Sequence, residues 1–176
     1  MLLDTPLEMR QNGHGVRRQG ARCLLVRLDP THSVHRVLMC AVLDRIPAFL
    51  ARLHSDNPPG TVQRYLHTHW AAGNPSVAVW AACTQAGQVV GHVIAMIEVS
   101  WGIPYAMLTQ TELDPPYLTT AVQRRALFAE MDAWAASQGA TKIKTLTPRN
   151  PEVYPRHNGF HVDKVLMVRE VQTPCQ

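Results

Sequence analysis

The chain has 176 residues, of which 46% are hydrophobic and 17% are charged, and its formal net charge is +4. This profile predicts one globular domain with a sizeable core. No apolar run approaches the roughly 20 residues that cross a bilayer, which excludes a membrane-spanning helix. The start "MLLDTPLEMR" lacks the pattern of a secretory signal, so we expect a soluble, cytoplasmic protein that does not bind membranes.

The cysteines and histidines do not form a recognisable metal or disulfide pattern. The four cysteines are widely spaced, without a C-x-x-C pair, and they are Cys23, Cys40, Cys83 and Cys175. The histidines of "HSVH" and "HTH" have no cysteine or paired acid at ligand spacing. We therefore expect neither a disulfide framework nor a metal site.

Basic residues concentrate near the start of the chain, and they are Arg10, Arg17, Arg18, Arg22 and Arg27. This asymmetry favours a polyanion such as nucleic acid. The segment lacks the interleaved aromatic residues of a single-strand binder and any DNA-reading motif. Nucleic acid is therefore not the partner that we expect.

The first half of the chain predicts an irregular arm over residues 1–20, followed by a single domain over residues 21–176. In that domain, "RCLLVRLD" predicts a strand. From Ser33, "SVHRVLMCAVLDRIPAFLARLH" has apolar residues at helical spacing and predicts an amphipathic helical region that is kinked or split at Pro47. "NPPG" closes this region, and "TVQRYLHTHWAAG" predicts a second helix that ends at Gly73.

The second half is rich in strands. "SVAVWAACT", "VVGHVIAMIEVSWG" and "YAMLTQTELD" predict an antiparallel meander. Residues Thr120 to Gln138 predict a helix that stops at Gly139, and "TKIKTLT" predicts the next strand. The Pro-broken connection "PRNPEVYPRHNGF" then leads to a last strand, "HVDKVLMVREV". Because a strand, helix, strand passage in one sheet makes a parallel crossover, the sheet should be mixed.

This element order, with "LDPPY" before the helix, "WAASQGATKI" leaving it and "NGF" before the last strand, resembles the GNAT superfamily of acyl-CoA-dependent N-acyltransferases. The resemblance covers roughly Val77 to Val171. It implies an α/β fold with a mixed, splayed central sheet flanked by helices. It also implies that acetyl-CoA lies between "YAMLTQTELD" and "TKIKTLT", with its pyrophosphate on the backbone N–H groups at the start of the intervening helix.

The phosphate-binding loop departs from the family pattern. The family has Arg or Gln, two residues, Gly, one residue, then Gly or Ala, and these three places fall here on Thr119, Val122 and Arg124. No glycine is present to let the backbone approach a phosphate closely. The candidate cofactor-binding residues are those of the glycine-free helix start, Thr120, Ala121, Val122, Gln123, Arg124 and Arg125.

Two features of this helix start favour different functions. Thr120 and Gln123 form a T-x-x-Q capping box, which satisfies orphan N–H groups and competes with an external phosphate. Arg124 and Arg125 place two positive charges where the helix dipole disfavours each by about 0.3 to 1 kcal/mol. A CoA phosphate would compensate these charges, and so would an acid such as Asp114.

The catalytic candidates lie in two regions of the chain. In the family, a tyrosine four residues before the glycine of "GF" protonates the departing thiolate; that place is Pro155 here, and Tyr154 is one residue earlier. For removing a proton from the attacking ammonium, the first candidate is Glu112 and the second is Glu98. Gln110 and Glu112 should share one strand face. His92 and His157 are further candidates on their chemistry alone.

Two functions remain open from the sequence. The first is a divergent GNAT-like N-acetyltransferase that moves an acetyl group from acetyl-CoA to an unknown amine, with strand N–H groups polarising the thioester carbonyl. The second is a GNAT-fold protein without catalytic activity that serves as a binding or structural component of a larger assembly.

Overall fold

The computed structural model describes residues 23–53, 55–114, 117 and 120–145. These residues form five strands and three helices. In chain order they are β1 (Leu24–Arg27), α1 (Ser33–Arg52), α2 (Pro59–Ala71), β2 (Val77–Cys83), β3 (Val89–Ser100), β4 (Ile103–Leu113), α3 (Ala121–Ser137) and β5 (Ile143–Thr145). The predicted arm over residues 1–20 and the predicted last strand lie outside the described residues. No helix in the described ranges is both long enough and apolar enough to cross a membrane.

The strands form one mixed sheet in the order β1-β2-β3-β4-β5. Strands β1 to β4 pair antiparallel, whereas β5 pairs parallel with β4. The β3–β4 connection is a two-residue turn, Trp101–Gly102, in which both residues have positive φ, as a tight hairpin requires. Helix α3 makes the crossover between the parallel strands β4 and β5. The predicted antiparallel meander and mixed sheet are confirmed.

Helices cover both faces of the sheet. One core lies between the sheet and helices α1 and α2, and its members include Met39, Ile46, Leu66, Trp70, Val79 and Ile94. The other core lies under α3, and its members include Trp80, Val93, Ala106, Leu108, Met131 and Trp134. Residues of β2 and β3 belong alternately to the two cores, because successive side chains of a strand point to opposite faces of the sheet. This explains why all seven residues of β2 are buried.

Helix α1 passes through Pro47 without a break, so of the predicted kink or split at this residue the split is wrong. Proline removes the hydrogen bond that its N–H would donate to the carbonyl four residues earlier, here that of Leu43. The side chain of Gln63 in α2 donates to the Leu43 oxygen at 2.8 Å instead. Buried residues Ile46 and Phe49 flank the proline and pack into the core, which stabilises the helix on both sides of it.

The second helix begins two residues earlier than the segment "TVQRYLHTHWAAG" predicts. Pro59 is its first residue, a position where proline's fixed φ suits the helix and its missing N–H has no intrahelical partner anyway. The closing segment "NPPG" therefore contributes its last two residues to α2. Gly73, with a φ of +66°, follows the helix end as predicted.

Candidate active site

The carboxylate of Glu112 lies near the end of β4, on the face that α1 covers. Its side chain is only 7% exposed, and Arg45 Nη2 lies 3.1 Å from its Oε2. Arg52 pairs with its other oxygen, Oε1. Arg45 also pairs with Asp114, at 2.5 Å. Two acids at the end of β4 are therefore neutralised by two arginines from α1.

The two carboxylate oxygens of Glu112 differ in their surroundings. Oε2 is held by Arg45, whose side chain is 21% exposed and lies against the sheet. Oε1 is paired with Arg52, whose side chain is 58% exposed. An exposed arginine contributes little to an ion pair and can rotate into solvent at small cost. Oε1 is therefore the oxygen that can become available to a substrate proton.

A buried histidine lies directly beside Glu112. His92 of β3 is opposite Glu112 in the β3–β4 register and is fully buried. Its Nε2 lies 3.0 Å from Gln110 Oε1, and its Nδ1 lies 3.5 Å from Glu112 Oε2. Phe49 of α1 packs edge-on against the imidazole, with ring centroids 5.7 Å apart. Burial lowers the pKa of His92 from 6.5 to about 4.

We expect His92 to make the folded chain sensitive to acid. Its pKa is lower in the folded than in the unfolded state, so this contribution to stability is complete above pH 6.5 and is lost as the pH falls toward 4. The free energy of unfolding should fall by about 3 kcal/mol from this group between pH 7 and pH 4. Urea titrations across this range should show the fall in wild type and a much shallower one in His92→Asn. The exposed His67, changed to Asn, serves as the control, and parallel curves for wild type and His92→Asn would contradict the prediction.

A β-bulge at Thr109 decides which way the Glu112 side chain faces. Ile94 pairs with Gln110 and the next residue of β3, Ala95, pairs with Leu108, so Thr109 has no residue opposite it. The Thr109 hydroxyl donates to the Ile94 carbonyl at 3.1 Å. Because the extra residue reverses the alternation, Leu108 faces the α3 core whereas Gln110 and Glu112 face α1. The prediction that Gln110 and Glu112 share a face is confirmed.

The start of α3 has the predicted capping box. The Thr120 side chain accepts from the Gln123 N–H at 3.1 Å, and the Gln123 side chain accepts from the Thr120 N–H at 2.8 Å. The Gln123 amide also donates to the Cys23 carbonyl beside β1, which ties the helix start to the sheet. Within the described part of the chain, the N–H groups of Ala121 and Val122 have no acceptor. The capping box therefore leaves two donors at the helix start.

The charge at this helix start is positive. No acid lies in the first turn of α3, and both Arg124 and Arg125 are exposed. Asp114, the acid named as a possible partner of these arginines, is paired with Arg45. The N–H groups of Ala121 and Val122, which have no acceptor among the described residues, and the helix dipole together favour an anion at this position.

Glu98, the second candidate base, is not brought to Glu112. Glu98 lies near the opposite end of β3, where it accepts from the Tyr105 hydroxyl at 2.6 Å. Tyr105 is seven residues before Glu112 along β4, which corresponds to roughly 20 Å. Tyr154 and His157 lie outside the described residues.

Sequence reasoning missed Arg45 and Arg52. They are seven residues apart in α1, which is about two helical turns, so both lie on the side of the helix that meets the end of β4. The signal was present as two arginines at this spacing in a predicted helix. Nothing in the sequence indicated that this side of the helix would face Glu112.

No protein-family model matches the sequence, and no curated protein matches it. Solved structures do match. Glucosamine-6-phosphate N-acetyltransferase from Arabidopsis thaliana superposes with a TM-score of 0.57 at 11% identity, over 85% of this chain and 99% of that chain. Ribosomal-protein-alanine N-acetyltransferase from Brucella melitensis biovar Abortus gives a TM-score of 0.55 at 14% identity, over 85% of this chain and 99% of that chain. An aminoglycoside acetyltransferase from an uncultured soil metagenomic sample, in complex with sisomicin, gives a TM-score of 0.55 at 12% identity, over 86% of this chain and 97% of that chain.

These superpositions cover nearly the full length of each acetyltransferase. Together with the mixed sheet and its parallel β4–β5 pair, they show that the chain has the GNAT fold. The predicted fold class is confirmed.

Proposed function

We propose that this protein is an N-acetyltransferase that transfers an acetyl group from acetyl-CoA to an amine. The observation that carries the proposal is the end of β4. There, the bulge at Thr109 turns Glu112 toward α1, while the parallel contact with β5 lies just before it, at Ala106–Leu108. Acetyl transfer to an amine needs a base for the ammonium proton and a place for the phosphates of the acyl donor; Glu112 would be the base, and the start of α3 would hold the phosphates. The names of the three superposed enzymes, all acetyltransferases of amine-bearing compounds, support an amine as acceptor.

The start of α3 would hold the pyrophosphate of acetyl-CoA. The N–H groups of Ala121 and Val122, which have no acceptor in the described part of the chain, would donate to it, and Arg124 and Arg125 would add charge. Thr120 and Gln123 are engaged with each other, so their part would be to keep the first turn in place. When bound, acetyl-CoA supplies the activated acetyl group.

Glu112 would take the proton of the acceptor ammonium. Oε2 stays anchored by Arg45, while the exposed Arg52 moves off Oε1, which then accepts the proton directly or through one water. The released amine can then attack the thioester carbon. Tyr154 remains the predicted proton donor to the departing thiolate.

The first test of this proposal is thermal unfolding with and without excess acetyl-CoA. At a concentration of 100 times Kd, binding adds about 2.7 kcal/mol, which corresponds to a rise in Tm of about 5 to 10 °C for a chain of this length. The double variant Arg124→Ala with Arg125→Ala should lose most of this rise, because the helix start keeps its N–H donors but loses two charges.

The matched control removes two other exposed arginines. Arg36 of α1 and Arg64 of α2 are both exposed and lie on the helices of the opposite face, so their double alanine variant changes net charge equally. It should keep the full rise. If both double variants keep it, Arg124 and Arg125 do not bind the cofactor; if wild type shows no rise at millimolar acetyl-CoA, the proposed function is wrong.

The pairing of Glu112 with Arg45 and Arg52 is also compatible with a second function. Glu112 is buried and paired with two arginines, and a buried carboxylate needs such partners in a fold that carries out no chemistry as well. The chain would then be a GNAT-fold component of a protein assembly. Absence of an acetyl-CoA effect on Tm, together with a single larger complex on co-purification from the source cells, is the result that this function predicts.

A further inference from the structure

A buried imidazole nitrogen beside Glu112 has no hydrogen-bond partner among the described residues. This atom is Nδ1 of His92, and Glu112 Oε2 lies 3.5 Å from it. The other ring nitrogen, Nε2, lies 3.0 Å from the side-chain amide of Gln110. Both the histidine and the glutamine are buried, at 0% and 6% exposure. A buried polar atom without a partner is costly, so the proton arrangement of this group requires an explanation.

A neutral imidazole carries its proton on one of two nitrogens. If Nε2 carries it, Nε2 donates to the Gln110 oxygen and the Nδ1 lone pair faces a carboxylate, so two acceptors meet without a proton between them. If Nδ1 carries it, Nδ1 can donate to Glu112, and Nε2 accepts from the Gln110 NH2 once that amide is turned by 180°. The turn exchanges an oxygen and a nitrogen that have nearly the same size. Only the second arrangement gives both ring nitrogens a partner.

We propose that His92 is a neutral imidazole protonated on Nδ1, which accepts from Gln110 and donates to Glu112 Oε2, and that it is a positioning residue for the Glu112 carboxylate. The first half concerns the folded chain alone. The second half rests on the proposed acetyl transfer. A shift of roughly half an ångström brings the 3.5 Å separation into ordinary hydrogen-bond range.

The surroundings of His92 favour the neutral form. Arg45 and Arg52 of α1 are both paired with the Glu112 carboxylate, and Asp114 is paired with Arg45. The two acids and two arginines cancel in charge, so burial is the largest influence and holds the pKa of His92 near 4. Phe49 covers the ring from α1 and adds no charge.

In this arrangement, one oxygen of Glu112 is held in place and the other is left for proton transfer. Arg45 and His92 would hold Oε2 from opposite elements, α1 and β3, and so set the plane of the carboxylate. Oε1 would then point toward the exposed Arg52 and would be the oxygen left for the acceptor ammonium. A base that is fixed in this way needs no reorientation before proton transfer.

The first test measures the tautomer by long-range ¹H–¹⁵N correlation on the full chain labelled at histidine, at pH 7. The His92 signals are assigned by their loss in His92→Asn. We expect Nδ1 to be protonated and Nε2 unprotonated. Protonation of Nε2 alone, or of both nitrogens, would overturn the proposal. This measurement needs no acetyl-CoA, so its result is independent of the proposed function.

The second test compares two amide variants of His92. Asn places an NH2 group where Nδ1 lies, whereas Gln, which is closer to histidine in size, places one near Nε2. If His92 positions Glu112, His92→Asn should keep kcat for acetyl transfer at least about tenfold above that of His92→Gln, with similar KM for acetyl-CoA. A role in packing alone predicts the reverse order, and equal kcat values would also overturn the positioning role.

The two tests separate the two halves of the proposal. If the tautomer is as expected and wild type transfers no acetyl group to any amine, the proposed function fails and the positioning role fails with it. If wild type is active and Nε2 carries the proton, the function stands and the assignment of His92 is wrong.

Discussion

Replacing Glu112 by glutamine should lower kcat for acetyl transfer by about 100-fold or more, with little change in the Kd of acetyl-CoA. The expected loss is that of a general base, because glutamine keeps the size of glutamate but cannot take up the ammonium proton. The measurement is release of the CoA thiol with amines drawn from aminosugars, polyamines and peptide N-termini. Binding of acetyl-CoA to the variant is measured separately by the shift in Tm.

A structural role of Glu112 predicts a different pattern. Glutamine leaves Arg45 and Arg52 without the Glu112 carboxylate, and we expect a stability loss of about 2 kcal/mol from the weaker hydrogen bonds. The double variant Glu112→Gln with Arg52→Met removes the arginine whose acid partner among the described residues is Glu112, whereas Arg45 keeps Asp114, and it should recover part of that stability. A base cannot be recovered in this way. Return of turnover in the double variant would therefore contradict proton transfer by Glu112.

Gly91→Ala should destabilise the chain more than any single exposed substitution. A Cβ at this position would meet the Glu112 carbonyl oxygen and lie 3.0 Å from Leu113 Cα, both of them backbone atoms of β4 that cannot rotate away. Forcing the strands apart should lower the free energy of unfolding by about 3 kcal/mol. For a chain of this length, Tm should fall by about 6 to 12 °C. The same displacement moves Glu112, so acetyl transfer should fall as well.

The chain contains a matched control for this substitution. Gly60 lies in the first turn of α2, and a Cβ there would meet nothing within 4 Å. Gly60→Ala should raise stability by about 0.4 to 1 kcal/mol, because alanine has fewer unfolded conformations to lose. If Gly91→Ala lowers stability while Gly60→Ala raises it, the close approach of β3 and β4 is the cause of the loss in Gly91→Ala. A Gly91→Ala variant that melts within 2 °C of wild type would show that this approach is not close in solution.

Much of the fold was predictable because it follows from local patterns. Alternating and continuous apolar runs predicted β2, β3 and β4, and helical spacing that ended at Gly139 predicted α3. The capping box of Thr120 and Gln123 was also predictable, since both partners lie within four residues. At Pro47 the local rule allowed a split of the helix that does not occur, and the hydrogen bond to the Leu43 carbonyl comes from Gln63 in another helix.

The candidate site was predictable only in part. Glu112 and Gln110 were found from their place near the end of a predicted strand, and their shared face followed from alternation. The sequence did not predict which face of the sheet Gln110 and Glu112 would occupy. The bulge at Thr109 reverses the alternation of side chains along β4, and no residue type marks the position of that bulge. His92 was named for its chemistry, whereas its place opposite Glu112 depends on the register of two strands.

Over the described residues, the sequence by itself determined the elements, their order and hence the α/β class with a mixed sheet, since these depend on contacts a few residues apart. The tertiary structure alone decided what surrounds the carboxylate. Arg45 and Glu112 are 67 residues apart, and their pairing depends on how α1 lies across the sheet. Such pairings depend on packing between elements, where a one-residue change in strand register would turn Glu112 to the other face.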